Sequence, residues 1–138
     1  MSNGEVLTSE QEDYLREHRI AVLATGRRDG SPQLSHVMYD YDGTDIVISV
    51  KSFTAKWHNA MRQPRVALLV HDGRAQLVVY GRAVGVAVDP ERLDLLVRLA
   101  RRRTGDPGFE ADDAFRAKAD AERRTVLRVV PESGYLQH

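Results

Sequence analysis

The side chains with the clearest chemical potential gather between positions 46 and 70. That stretch reads IVISV, then KSFTAKWHNAMRQP, then RVALLV. Two apolar, β-branched runs flank a short segment of helical composition that carries Lys51, Lys56, His58, Arg62 and Arg65. A strand that ends where a basic helix begins offers free backbone N–H groups, the positive end of a helix dipole and a nearby ammonium. That combination suits a phosphate or another anion. Thr54 stands at the entry to this helix and its hydroxyl can cap it. The plainer reading of the pair is a solvated lysine and an ordinary cap. Lysine is rare, with Lys51, Lys56 and Lys118 the three in the chain.

The remaining candidates are weaker. His36 shares one strand face with Leu34 and Met38, and reads either as a satisfied interior or interface histidine or as a hydrogen-bonding partner of a bound ligand. His58 has no partner at metal-ligand spacing, and no cysteine exists to supply a thiolate, so no metal site is assigned. No G-x-S-x-G elbow marks a hydrolase. Gly81 and Gly85 do not follow the dinucleotide-binding glycine pattern and read as bulges or bends in a strand. Trp57 reads as a core or interface anchor. Arg101, Arg102 and Arg103 read as a solvated helix end, with an acidic ligand tail as the alternative.

Bulk properties narrow the class. A chain of 138 residues with 42% hydrophobic content is expected to form one domain over 1–138 with a real core. The formal net charge of +0 gives no strong field toward nucleic acid or an anionic membrane. No apolar run approaches the roughly 20 residues of a membrane span, and the amino terminus lacks a signal-peptide pattern. The expectation is a soluble, cytoplasmic protein.

The elements that must position the basic segment follow from pattern. Residues 1–7 read as frayed. Thr8 or Ser9 caps a helix that runs to about His18, with Tyr14 and Leu15 inward. Strands are expected at 20–25, 33–40 and 45–50, joined by turns at Asp29-Gly30 and Asp42-Gly43 into an antiparallel meander. On the second strand Leu34, His36, Met38 and Asp40 share one face, and Gln33, Ser35, Val37 and Tyr39 the other. Pro64 ends the basic helix. Strands follow at 65–71 and 75–88. Asp89 and Pro90 then start a helix with a stripe of Leu93, Leu96, Val97 and Ala100. A polar helix at 110–120, a last strand at 124–130 and a tail complete the chain. Many strands with glycine bends in a small α+β chain predict a closed or half-closed barrel.

Three segments, IAVLATGRRDGSPQLSHVMYDYDG, IVISVKSFTAKWHNAMRQPRVALLV, and VVYGRAVGV with the later RRTVLRVVPESGYL, resemble the split β-barrel family of flavin- and deazaflavin-binding proteins. That family includes the pyridoxamine 5′-phosphate oxidases and the reductases that use coenzyme F420. The run AKWHNAMRQPRVALLV carries the most specific part of the likeness, which is strongest to the deazaflavin-using branch. The resemblance implies an α+β split β-barrel with short flanking helices and a homodimer with cofactor clefts at its interface. It implies that Lys56 holds the cofactor phosphate, with Ser49, Val50 and Thr54 alongside. Gln33, Ser35 and His36 match positions that approach the ring system. Ala55 and Ser35 stand where the pyridoxamine oxidases carry arginines, which weakens the case for FMN and favours F420. The implied activity is hydride transfer between coenzyme F420 and a small conjugated substrate, with no obligate catalytic side chain. An FMN-dependent relative and a non-catalytic cofactor-binding protein are the alternatives.

Overall fold

The computed structural model describes residues 6–138. The expected frayed start lies outside the described residues at 1–5. Leu7, assigned to the same frayed segment, is instead 1% exposed and belongs to the core. Helix α1 spans Ser9–Glu17. Thr8, rather than Ser9, caps it: its hydroxyl accepts from the Gln11 N–H at 3.1 Å, and the Gln11 side chain accepts from the Thr8 N–H at 3.0 Å. Tyr14 and Leu15 face inward as predicted, and the Tyr14 hydroxyl donates to the Ala75 carbonyl at 2.9 Å.

Six strands form a closed antiparallel barrel in the order β1-β2-β3-β6-β5-β4. They are β1 (Ile20–Gly26), β2 (Pro32–Tyr41), β3 (Ile46–Lys51), β4 (Arg65–His71), β5 (Gln76–Val86) and β6 (Arg124–Gln137). The first three form the predicted meander, and pairing of Val22, Leu23 and Ala24 with Leu69, Leu68 and Ala67 closes β1 onto β4. Helix α2 (Ala55–Arg62) joins β3 to β4, while α3 (Glu91–Thr104) and α4 (Asp113–Ala121) lie between β5 and β6.

Side-chain alternation fills the barrel. Leu23, Tyr39, Ile48, Val50, Leu68, Leu77, Val79 and Leu127 point inward and are essentially inaccessible. Strand β3 is buried on both sides. Its residue Val47 joins a second cluster with Val86, Val126, Leu96, Leu99 and Ala119, formed where α3 and α4 cover the outside of the barrel. This explains why IVISV reads as a continuous apolar run rather than an alternating one. The expected α3 stripe shifts accordingly: Leu96, Leu99 and Ala100 are buried, while Leu93 and Val97 are only half-buried.

Strand β6 does not stop at Val130. It continues to Gln137 because β5 supplies pairing partners from Val126 to that end. The register steps where Tyr80 faces Ser133 and Gly81 faces Pro131, so Glu132 is the extra residue of a bulge on β6. Proline lacks an N–H donor, and a bulge accommodates it. Gly81 is needed there because a Cβ would lie 2.5 Å from the Val130 carbonyl oxygen. Gly85 pairs regularly with Leu127 and is no bulge; it makes room for α2, since a Cβ would meet Trp57 and Met61 at 2.8 Å.

Aspartates organise the turns. Asp42 accepts from the N–H groups of Thr44 and Asp45, and Asp72 from those of Arg74 and Ala75. The Ala75 and Arg74 N–H groups, with His18 nearby, hold the Asp72 carboxyl down to about 2. A depressed folded-state value means that this turn contributes stability above the unfolded pKa, near 3.8, and loses it as the pH falls through about 2. We expect the melting temperature of Asp72→Asn to fall less between about pH 4 and pH 2 than that of the unaltered protein. Parallel profiles in a calorimetric pH series would dismiss this role.

Candidate functional site

A cleft of about 550 Å³ opens between the outer face of the barrel and the α3–α4 pair. Its barrel side carries His36 and Met38 from β2, Ser49 from β3 and Lys56 from the first turn of α2. Alternation explains the choice: Val37, Tyr39, Ile48 and Val50 point into the core, so their neighbours point out. The opposite wall is apolar at its base, with Leu96 and Leu99 of α3 and Phe115 and Ala119 of α4. Phe115 is held edge-on against Phe109 with ring centroids 5.2 Å apart. Arg103, Lys118, Glu122 and Arg124 rim the opening.

The charges on this rim are unevenly satisfied. Glu122 accepts from Arg124 Nε at 3.0 Å, and that hydrogen bond holds its carboxyl below the ordinary range. Lys56, Arg103 and Lys118 have no side-chain hydrogen bond or ion pair among the described residues. Lys56 is half-buried as a residue, and its ammonium has no counter-ion among the described residues. The start of α2 is similarly unmet. Thr54 is the N-cap residue, but its hydroxyl donates to the Lys51 carbonyl at 2.7 Å and makes no capping bond to α2. The predicted side-chain cap is therefore absent. First-turn N–H groups beside a partnerless ammonium form an anion-binding arrangement.

The structure brings together three of the seven residues singled out from sequence: His36, Ser49 and Lys56. Thr54 lies at the entry to α2, next to them in the chain. Val50 is fully buried and its side chain belongs to the barrel core. Gln33 and Ser35 take the opposite face of β2 from His36. Gln33 accepts from Asn59 Nδ2 at 2.8 Å, and Ser35 is half-buried across from Leu23. Position-by-position transfer missed the entire α3–α4 wall. One signal was available: a segment of this length joining two neighbouring antiparallel strands must itself cover something, and it holds Phe109 and Phe115.

The wall is fastened by Arg92, which is 9% exposed. Its Nε and one terminal nitrogen pair with Asp89 and Asp120 at 3.0 and 2.7 Å, and the other nitrogen donates to the Arg124 carbonyl at 2.8 Å. One guanidinium thus joins the start of α3, the end of α4 and the start of β6. Nor is the arginine run at the end of α3 simply solvated. Arg98 pairs with Asp40 at 2.5 Å, Arg101 donates to the Phe109 carbonyl at 2.8 Å, and Arg102 donates to the Arg16 carbonyl at 2.6 Å. Arg103 alone of this run faces the cleft.

The fold is thus a closed antiparallel barrel that carries on its outer face a cleft with an apolar base and a mainly cationic rim. The chain belongs to the pyridoxamine 5'-phosphate oxidase family, whose model matches residues 7–138. Among solved structures, a conserved hypothetical protein from Mycobacterium tuberculosis is 25% identical, over 99% of this chain and 89% of its own, with a TM-score of 0.77. An F420 reductase is 26% identical over 94% of this chain and 98% of its own, with a TM-score of 0.71. A heme storage protein from Vibrio cholerae shares the fold at 15% identity, over 96% of this chain and 95% of its own, with a TM-score of 0.71. The residues present fit a phosphorylated, conjugated ring. Leu96, Leu99 and Phe115 offer an apolar surface, and Lys56 with the α2 start offers an anion site.

Because Arg92 serves both helices at once, its loss removes several charge-assisted bonds. Arg92→Leu is expected to lower unfolding free energy by about 1–3 kcal/mol in urea denaturation. A stability unchanged from the parent would show that Arg92 does not fasten the wall.

Proposed function

We propose that this protein is an oxidoreductase that binds coenzyme F420 in the cleft and serves hydride transfer between that coenzyme and a small conjugated substrate. The observation that carries the reading is Lys56, a half-buried lysine whose ammonium has no partner among the described residues, at a helix start without a side-chain cap and beside an apolar wall. The similarity to an F420 reductase over nearly the full length of both chains supports the choice of cofactor. The deazaflavin, when bound, supplies the carbon that carries the hydride.

The chain's own residues bind and orient. Lys56 and the first N–H groups of α2 hold the phosphate, with Ser49 beside them. The apolar side chains of α3 and α4 exclude water from one face of the ring and leave the other to the substrate. His36 lies where it can donate to a polar edge of the ring or the substrate. None of these roles demands an obligate acid or base. Thr54 shapes the entry to α2 through its bond to Lys51. Gln33, Ser35 and Val50 support the site from behind, through α2 and the core, rather than by touching the ligand.

A homodimer completes the proposal. Tyr80, Val84, Val130 and Tyr135 leave an apolar strip exposed along β5 and β6, suited to a second copy of the chain. No helix among the described residues is long and apolar enough to cross a membrane, which is compatible with the cytoplasmic placement we propose. FMN is the second reading, favoured by the description of the family itself. Against it stand Ala55 and Ser35, where the resemblance to the oxidases calls for arginines.

Fluorescence titration of the purified protein with F420 and, separately, with FMN tests the cofactor. Saturable micromolar binding of F420 with weaker FMN binding is expected; preference for FMN, or binding of neither, rejects the F420 assignment. Lys56→Ala is expected to weaken F420 binding by about 1.5–3 kcal/mol, the worth of a charge-assisted hydrogen bond. An unchanged dissociation constant would remove Lys56 from the site.

A further inference from the structure

We infer that Asn59 is the positioning residue that sets where Lys56 stands in the cleft. The inference rests on the reading of Lys56 as the anion ligand for its functional meaning, though not for its structural test. Asn59 is 7% exposed and lies one turn after Lys56 on α2. Both polar atoms of its side chain have partners. Its Nδ2 donates to Thr25 Oγ1 at 3.2 Å and to Gln33 Oε1 at 2.8 Å, while its Oδ1 accepts from Arg62 at 3.2 Å. The same Arg62 donates to the Gly26 carbonyl at 2.6 Å. Five residues, Asn59 and Arg62 with Thr25, Gly26 and Gln33, thereby tie α2 to the facing ends of β1 and β2.

The helix needs such a tie. It has eight residues and no side-chain capping bond at its start, so little local energy fixes its axis. On the side toward β5 it is held by contact alone, with Trp57 and Met61 against the bare Gly85. Apolar contact resists separation but constrains rotation weakly. Hydrogen bonds from a buried amide constrain direction, and breaking them leaves Thr25, itself 3% exposed, without its donor. Rotation of α2 about its axis swings Lys56 out of the cleft. The geometry also gives Gln33 a role, as the acceptor that aims Asn59 rather than as a ligand to the ring.

The scarcity of lysine makes the inference measurable. Reductive methylation with carbon-13 places an NMR label on Lys51, Lys56 and Lys118, the three lysines of the chain. In Asn59→Leu, the Lys56 signal is expected to move while that of Lys118, carried by α4 on the opposite wall, stays in place. Gln33→Leu, which keeps Asn59 and one of its two acceptors, is expected to move Lys56 in the same direction by less. F420 or FMN, whichever the unaltered protein binds, should bind Asn59→Leu about tenfold more weakly, as expected for a displaced charged donor. A general loss of stability would not single out one lysine. If Asn59→Leu does not fold, Gln33→Leu decides by the same signal. An unmoved Lys56 signal in the folded variant overturns the inference. A moved signal with unchanged cofactor affinity upholds the positioning and rejects Lys56 as the cofactor's ligand.

Discussion

The rest of the structure depends on the burial of β3 from both sides. Ile46, Ile48 and Val50 enter the barrel, and Val47 is covered from outside by α3 and α4. Burying a Val or Ile side chain contributes about 1.5–3 kcal/mol, so sealing both faces of one strand is a large local gain. The seal is incomplete at one place. Ser49 points outward like Val47 but lies at the edge of the helical cover, half-buried and open to the cleft. The site is the part of the outer barrel surface that the helical insert shelters without touching. A fully covered β3 would have no cleft, and an uncovered one would lack an apolar wall.

The electrostatic character of the cleft arises from where the acids are committed. The chain has as many acidic as basic side chains, 20 of each, so no overall field exists. Asp29, Asp42 and Asp72 are bound to backbone N–H groups in turns. Asp89 and Asp120 are held by Arg92, Asp40 by Arg98 and Glu122 by Arg124. What remains at the cleft is Lys56, Arg103 and Lys118 with no acid paired to them among the described residues. A neutral protein thus acquires a locally cationic site through the distribution of its carboxylates rather than through an excess of bases.

Helix α2 connects these two themes. It carries Lys56 toward the cleft, Ala60 toward the core and Asn59 toward the β1–β2 ends. Its short length leaves orientation to tertiary anchors, and two of these come from residues without obvious chemistry, Gly85 and Thr25. The Thr54 hydroxyl strengthens the exit from β3 and leaves the helix start without a side-chain cap. Neighbouring residues therefore divide their contacts: Asn59 and Gln33 tie α2 to the barrel, while Lys56 and Ser49 face the cleft.

Much of this was legible in the sequence because it is local. Asp-Gly pairs fixed the turns at Asp29-Gly30 and Asp42-Gly43, Pro64 ended α2, and strict alternation on β2 separated His36 from Gln33 and Ser35. The family likeness led to Lys56 and to a barrel. Local pattern could not say that β6 continues past Pro131, since that depends on a long partner in β5 and on a bulge opposite Gly81. Nor could it say that Thr54 would bond backward to Lys51, because either partner is within a hydroxyl's reach. Above all it could not place Leu96, Phe115 and Arg103 against His36. Side-chain periodicity is a property of a few consecutive residues, so the sequence by itself determined which residues share a face. Which face became a cleft, and which cations were left without partners, was decided by barrel closure and by Arg92. Those are pairings between distant segments, and their energy is gained only once the whole chain is folded.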